Sequence, residues 1–157
     1  IINLSGQTLG DADFLEFVVE SLDRTSVAPA SICFEMTEAA LIMEPRQAQR
    51  FIEVLHGMGC KFALDDFGSG LGAFSNLKHL PLDYLKIDGS FTRHLGRDPI
   101  NQEMVSAMIN LARKMDFRTV AEQVEEQRDF DMLREMGVDF AQGYLIERPR
   151  LLGAGPN

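Results

Sequence analysis

The sequence has no tryptophan, and only two tyrosines, two cysteines and three histidines in 157 residues. Two cysteines are too few for a disulfide scaffold. Cys33 sits inside a strand-like apolar run and Cys60 just before another. Both are expected to be unpaired, mostly buried thiols in a reducing compartment. A zinc site would need more soft ligands nearby. His56, His79 and His94 fall in helical or turn segments and are assigned to solvent rather than to catalysis. Positive charge is also scarce, with 15 Lys and Arg against 24 Asp and Glu, a net charge of −9. That balance argues against a DNA partner, because backbone binding needs cationic side chains. It leaves room for a small phosphate ligand if bound divalent cations reverse the local field. No apolar run approaches the roughly 20 residues of a membrane span, and no signal peptide is visible. A cytoplasmic location without direct membrane insertion is expected, either free or as the cytoplasmic part of a membrane-anchored sensor. An early Gly-rich strand-to-helix turn of the dinucleotide-binding kind is missing as well.

What is present is an alternation of strand-like and helix-like segments. Short apolar runs at 1–5, 31–36, 61–65, 83–88, 118–122 and 138–142 read as buried strands. Between them, helices are expected over 11–22, 45–58, 74–79, 99–115 and 125–136. Phe14, Leu15, Val18 and Leu22 share one face of the first, and Phe51, Ile52 and Leu55 face inward from the second. Met104, Met108, Leu111 and Met115 form a stripe expected to pack in the core. This alternation predicts an α/β fold with a parallel sheet.

Each of the six runs ends in a polar residue: Asn3, Glu35, Asp65, Lys86, Glu122 and Gln142. A barrel of parallel strands gathers its strand C-termini on one face, where catalytic groups collect. Functional groups at all six ends therefore favour a TIM-like (β/α) barrel over an open sheet. A full barrel has eight strand–helix units and about 250 residues. The chain is accordingly expected to be an incomplete barrel of about six units, the other two preceding Ile1. One domain over 1–152 and a flexible Gly/Pro tail over 153–157 complete the expected organisation.

Asp65 and Asp66 are adjacent carboxylates at a strand end, so their repulsion costs stability unless a cation sits between them. A capping or turn role is the bland alternative. The Glu35-Met36-Thr37-Glu38 cluster and Glu122 tip the balance toward a metal. All-oxygen ligands select Mg2+ or Mn2+, with Ca2+ as an inhibitory competitor. Lys86, apolar on both sides, is either a barrel-interior lysine paired with a carboxylate or a group that neutralises developing charge. Gln142 either satisfies rim backbone or serves the site. Glu125 and Glu126 are assigned to solvent as first-turn residues.

Five ordered segments resemble the EAL domain, the phosphodiesterases of the bacterial second messenger cyclic di-GMP. They are Phe34-Glu35-Met36-Thr37-Glu38, Asp65-Asp66-Phe67-Gly68-Ser69-Gly70, Leu85-Lys86-Ile87-Asp88-Gly89, Ala121-Glu122-Gln123-Val124-Glu125 and Gln142-Gly143-Tyr144-Leu145. The resemblance implies metal-dependent hydrolysis of cyclic di-GMP to linear pGpG, with a two-metal site. It implies metal ligands at Asn3, Glu35, Asp65 and Asp66. Lys86 and Glu122 would flank the attacking water, Glu122 as general base. Glu38 would anchor the loop after the paired aspartates, and Gln142 would join the substrate and water network. The resemblance also implies a homodimer formed through residues 69–79, where Leu71, Phe74 and Leu77 offer an apolar surface, and linkage to GGDEF and sensor domains.

Three departures stand out. The Glu-Ala-Leu signature and its nearby arginine are expected upstream of Ile1, so the segment alone is expected to be poorly active. Gln123 stands where the family more often has glycine. Leu71-Gly72-Ala73-Phe74 differs from the commoner loop. The alternative function is a catalytically inactive EAL-type module that binds cyclic di-GMP as a sensor. A purely structural dimerisation domain would leave the strand-end carboxylates without a purpose.

Overall fold

The computed structural model describes residues 1–43, 45–68 and 77–149. Six strands form one parallel sheet in sequential order: β1 (Ile2–Leu4), β2 (Cys33–Thr37), β3 (Lys61–Phe67), β4 (Tyr84–Ile87), β5 (Arg118–Ala121) and β6 (Phe140–Ala141). Sequential order is the winding of a (β/α) barrel wall; helices fill the crossovers other than that from β3 to β4, of which residues 69–76 lie outside the described residues. Six of the eight units are represented.

The crossovers hold α1 (Gly6–Leu9), α2 (Ala12–Arg24), α3 (Glu38–Met43), α4 (Pro45–Gly57), α5 (Gly89–Thr92), α6 (Pro99–Lys114) and α7 (Gln127–Met136). Local chemistry sets the ends of the long ones. Asp11 caps α2 by accepting from the amides of Asp13 and Phe14. Asp98 caps α6 in the same way, ahead of Pro99 in the first turn. Gly137 closes α7 at φ +84°, a left-handed cap that glycine adopts without steric cost.

The strand faces differ. Phe34, Met36, Phe62, Leu64, Leu85, Ile87 and Ala121 point to the helix layer and are essentially inaccessible. They meet Phe51, Ile52 and Leu55 of α4 and Val105, Ile109 and Ala112 of α6. Each fully buried side chain of this size stabilises the fold by about 1.5–3 kcal/mol. The opposite face carries the polar residues. Ladder partners on parallel strands project to the same side. The pairs Asn3 with Glu35, Thr37 with Asp65, and Lys86 with Val120 therefore set Asn3, Glu35, Asp65 and Lys86 inside the curve of the sheet.

Three expectations need correction. Met104 lies 43 % exposed, whereas Met108 is buried and Leu111 and Met115 pack partly buried against the core, beside Val105, Ile109 and Ala112. Glu126 caps α7 by position only and pairs with His94 and Arg97 at 3.5 and 3.8 Å. Finally, α1, α3 and α5 fill stretches where no helix was expected. The first half of the helix expected over 74–79 and most of the expected dimer surface, including Leu71 and Phe74, lie outside the described residues; Leu77 is described and is buried at 1 % exposure. The tail at 153–157 also lies outside them. Cys33 and Cys60 are unpaired, half-buried and buried respectively. Burial raises both thiol pKa values.

Candidate active site

The carboxylates meet because β3 carries a bulge. Its register with β4 runs Ala63 to Tyr84 and Leu64 to Leu85, then jumps to Phe67 opposite Ile87. Asp65 and Asp66 thus face a single residue, Lys86. Asp66 sits at φ +54°, a left-handed conformation that aspartate tolerates better than most residues. On a regular strand two adjacent side chains would point to opposite faces. The bulge breaks that alternation and aims both carboxylates at the same end of the sheet.

Lys86 is the hub. Its Nζ contacts Glu35 Oε1, Asp65 Oδ1 at 2.8 Å and Glu122 Oε1 at 2.6 Å. The lysine and Glu35 side chains are each 6 % exposed, Glu122 12 % and Asp65 20 %. One ammonium facing three carboxylates leaves an excess of negative charge in a poorly solvated place. The cost falls on Asp65, whose pKa is raised from 3.8 to about 7, first by burial and then by the charges of Glu122 and Asp66. Asp66 is raised too, by burial and by Asp88 and Glu122.

Ligand atoms of Glu35, Asp65 and Glu122 lie within 4.8 Å of one another, and so do those of Asp66, Asp88 and Glu122. Two all-oxygen triads sharing Glu122 are a donor set suited to hard divalent cations. The strained ionisation of Asp65 and Asp66 is the response expected of carboxylates brought together to hold positive charge. The residues present therefore fit a divalent metal.

The remaining expected residues also fall at this end. Asn3 is the ladder partner of Glu35 on β1. Glu38 is buried at 4 % exposure, and its Oε1 accepts from the Gly68 amide at 3.4 Å, at the start of the loop after the aspartates. Gln142 follows β6, and its backbone bonds to Ala121 and Val124. It lines a cavity of about 720 Å³ with Glu122, Arg93, Tyr144 and Arg148. The Arg148 guanidinium lies 5.0 Å above the Tyr144 ring.

Sequence reading assigned no role to Asp88, Arg93, Tyr144 or Arg148. Asp88 had a signal, being an acid two residues beyond Lys86 at a strand end. The arginines join the site through loop geometry that no periodicity reveals. A cavity of similar size, about 710 Å³, lies at the opposite strand ends. There Asp83 is already engaged by Lys61 and the Phe62 amide, so the convergent carboxylates single out the C-terminal end.

Comparison with known proteins bears on the family and the fold. The family model described as "EAL domain" matches residues 1–149. The chain is 37 % identical over 153 residues to the cyclic di-GMP phosphodiesterase PdeB of Shewanella oneidensis, covering 98 % of this chain and 18 % of that protein. The chain thus spans about a fifth of the length of the curated relatives it matches. The EAL domain of Mycobacterium smegmatis DcpA superposes with a TM-score of 0.89 at 37 % identity, over 96 % of this chain and 67 % of that one. Klebsiella pneumoniae BlrP1, solved as a calcium and cyclic di-GMP complex at pH 8.0, gives 0.85 at 28 % identity, over 94 % and 38 %.

Proposed function

The chain belongs to the EAL domain family, and from that premise we propose that it forms most of the catalytic face of a phosphodiesterase that hydrolyses cyclic di-GMP to linear pGpG. The observation that carries the reading is the convergence of Glu35, Asp65 and Glu122 on Lys86, beside a cavity whose lining includes Arg93, Arg148 and Tyr144 as well as Glu122, Glu125 and Glu147. A sensor that only binds the dinucleotide has no need for buried carboxylates in such excess over cations.

In this reading Glu35, Asp65, Asp66 and Asn3 hold Mg2+ or Mn2+ in a two-metal arrangement, with Ca2+ as an inhibitory competitor. Bound there, the cations would polarise the phosphoryl oxygens and lower the pKa of the attacking water. Glu122 accepts the proton of that water, as a carboxylate at hydrogen-bond reach of the site can. Lys86 orients Glu122 and offsets negative charge developing on the phosphorane oxygens. Arg93 and Arg148 offer the cationic contacts that phosphodiester groups favour, Gln142 orients substrate or water, and Glu38 fixes the loop that follows Asp66. Self-association through residues 69–79 and linkage to GGDEF and sensor domains belong to the same reading and rest on family resemblance.

The test is turnover of cyclic di-GMP with Mg2+ or Mn2+ by the domain including its upstream barrel strands, followed by chromatography of the product. Appearance of pGpG, abolished by chelator, is the expected result. Tight dinucleotide binding without any pGpG would establish the sensor instead.

A further inference from the structure

Glu122 lies just past the end of β5, where the ladder no longer fixes its backbone on both sides. Its amide still donates to the Ile87 carbonyl at 3.1 Å. Its carbonyl is held from elsewhere: Thr92 Oγ1 donates to it at 2.5 Å. Thr92 closes α5, the single turn that follows the strand bearing Lys86, and it is completely buried.

The residue after Glu122 is tied to the same turn. Gln123 sits at φ +51°, a costly conformation for a side chain of its size. Its side chain lies over Gly89, the first residue of α5. A Cβ on Gly89 would fall 2.2 Å from Gln123 Oε1 and 2.8 Å from its Cβ, so only glycine leaves the space. The segment that follows α5, from His94 to Arg97, is clamped to α7. Asp129, buried at 3 % exposure, accepts from the amides of His94 and Gly96 at 3.0 and 2.9 Å, and Arg128 donates to the Gly96 carbonyl. Through Arg93, α5 is joined to that clamped segment, and Thr92 and Gly89 of α5 meet the backbone of Glu122 and the side chain of Gln123.

We propose that Thr92 is a positioning residue for Glu122: its buried hydroxyl fixes the backbone of the base relative to Lys86. The role of Glu122 rests on the function proposed above; the placement of its carboxylate does not. Removing the hydroxyl leaves a buried carbonyl without its partner, and the local backbone shifts to find another donor. A displacement of about 1 Å in a proton-accepting group is enough to cost on the order of 100-fold in rate.

The experiment compares wild type, Thr92→Val and Thr92→Ser in the domain with its upstream strands. Valine keeps shape and removes the hydroxyl, while serine keeps the hydroxyl and removes a methyl. The expected result is a kcat about 10- to 100-fold lower for the valine variant, with KM and cyclic di-GMP affinity within about two-fold of wild type. Serine should restore kcat to within about three-fold. A merely structural role would lower the melting temperature of both variants and leave kcat per folded molecule unchanged, and that result would overturn the proposal. Crystal structures of the valine variant and wild type decide the matter even if the wild type shows no turnover. A Glu122 carboxylate displaced from Lys86 supports the proposal, and an unmoved one refutes it.

Discussion

The two ends of the sheet use acidic residues in opposite ways. At the N-terminal end Asp83 and Asp139, each just before a strand, find fixed donors. Asp83 accepts from Lys61 Nζ at 2.7 Å and from the Phe62 amide at 2.9 Å, and Asp139 accepts from the Thr119 amide and hydroxyl at 2.7 and 2.8 Å. At the C-terminal end Glu35, Asp65 and Glu122 compete for one lysine, and Asp66 and Asp88 are gathered beside them. The first arrangement joins neighbouring strands and stabilises the sheet. The second is under electrostatic strain in the protein alone, and becomes favourable only with added positive charge. In the function proposed above, stability and chemistry are divided between the two ends, as expected of a parallel barrel.

If that division holds, substitutions at the two ends should separate cleanly. The largest effect is expected from Glu122→Gln, which keeps shape and removes the proton acceptor. Steady-state assays should show turnover of cyclic di-GMP down by about 10²–10⁴-fold, with dinucleotide affinity largely kept by calorimetry. Near-normal turnover would move the base elsewhere.

Asp83→Ala should do the reverse. It strips the partner from the buried Phe62 amide and from Lys61, at a cost of about 2 kcal/mol, or about 4–8 °C in melting temperature for a chain this size. Divalent-cation affinity should stay as it was. A loss of cation binding in this variant would blur the distinction between the ends.

A third comparison uses pH. The pKa of Asp65 is raised in the fold to about 7, so folding favours its protonated form. The stability this confers is fully present below its ordinary value of 3.8 and is lost as pH rises through about 7. Without metal, the melting temperature should therefore fall between about pH 4 and pH 7. Added Mn2+ should raise it more at pH 8 than at pH 5. Asp65→Asn should flatten the metal-free profile and abolish most of the Mn2+ response in thermal melts. An equal Mn2+ shift in wild type and variant at pH 8 would place the cation elsewhere.

The smallest effect sharpens the placement of Glu122. Gln123→Gly should relieve the positive-φ strain, raising stability by up to about 1 kcal/mol or leaving it unchanged. Gly89→Ala should destabilise by more than this in wild type and by clearly less in the Gln123→Gly background, because the side chain it would strike is then gone. Additive effects in denaturant titrations would mean the two residues do not meet.

Much of this was legible because parallel strands buried on one face by helices read as short apolar runs, and each run here stops at a polar residue. The pattern marks Glu35, Asp65, Lys86 and Glu122 as strand-end residues. It failed where length or geometry left no signature. The four residues of α1 and of α5 cannot display a helical period. Nothing in the order Asp65-Asp66 reveals a bulge, since the register shift depends on the partner strand. Asp88 was visible as an acid but not as a neighbour of Asp66, because their approach depends on that bulge. Thr92 carries no local mark at all: its hydroxyl matters only because β5 ends opposite it.

The central claim is that the C-terminal strand ends hold divalent cations. The most direct measurement is an anomalous difference map from crystals of the domain grown with Mn2+ near pH 8. Density among the carboxylates of Glu35, Asp65, Asp66 and Glu122, absent in crystals of Asp65→Asn, is the predicted result. A map with Mn2+ bound elsewhere on the protein and none at these strand ends would contradict it.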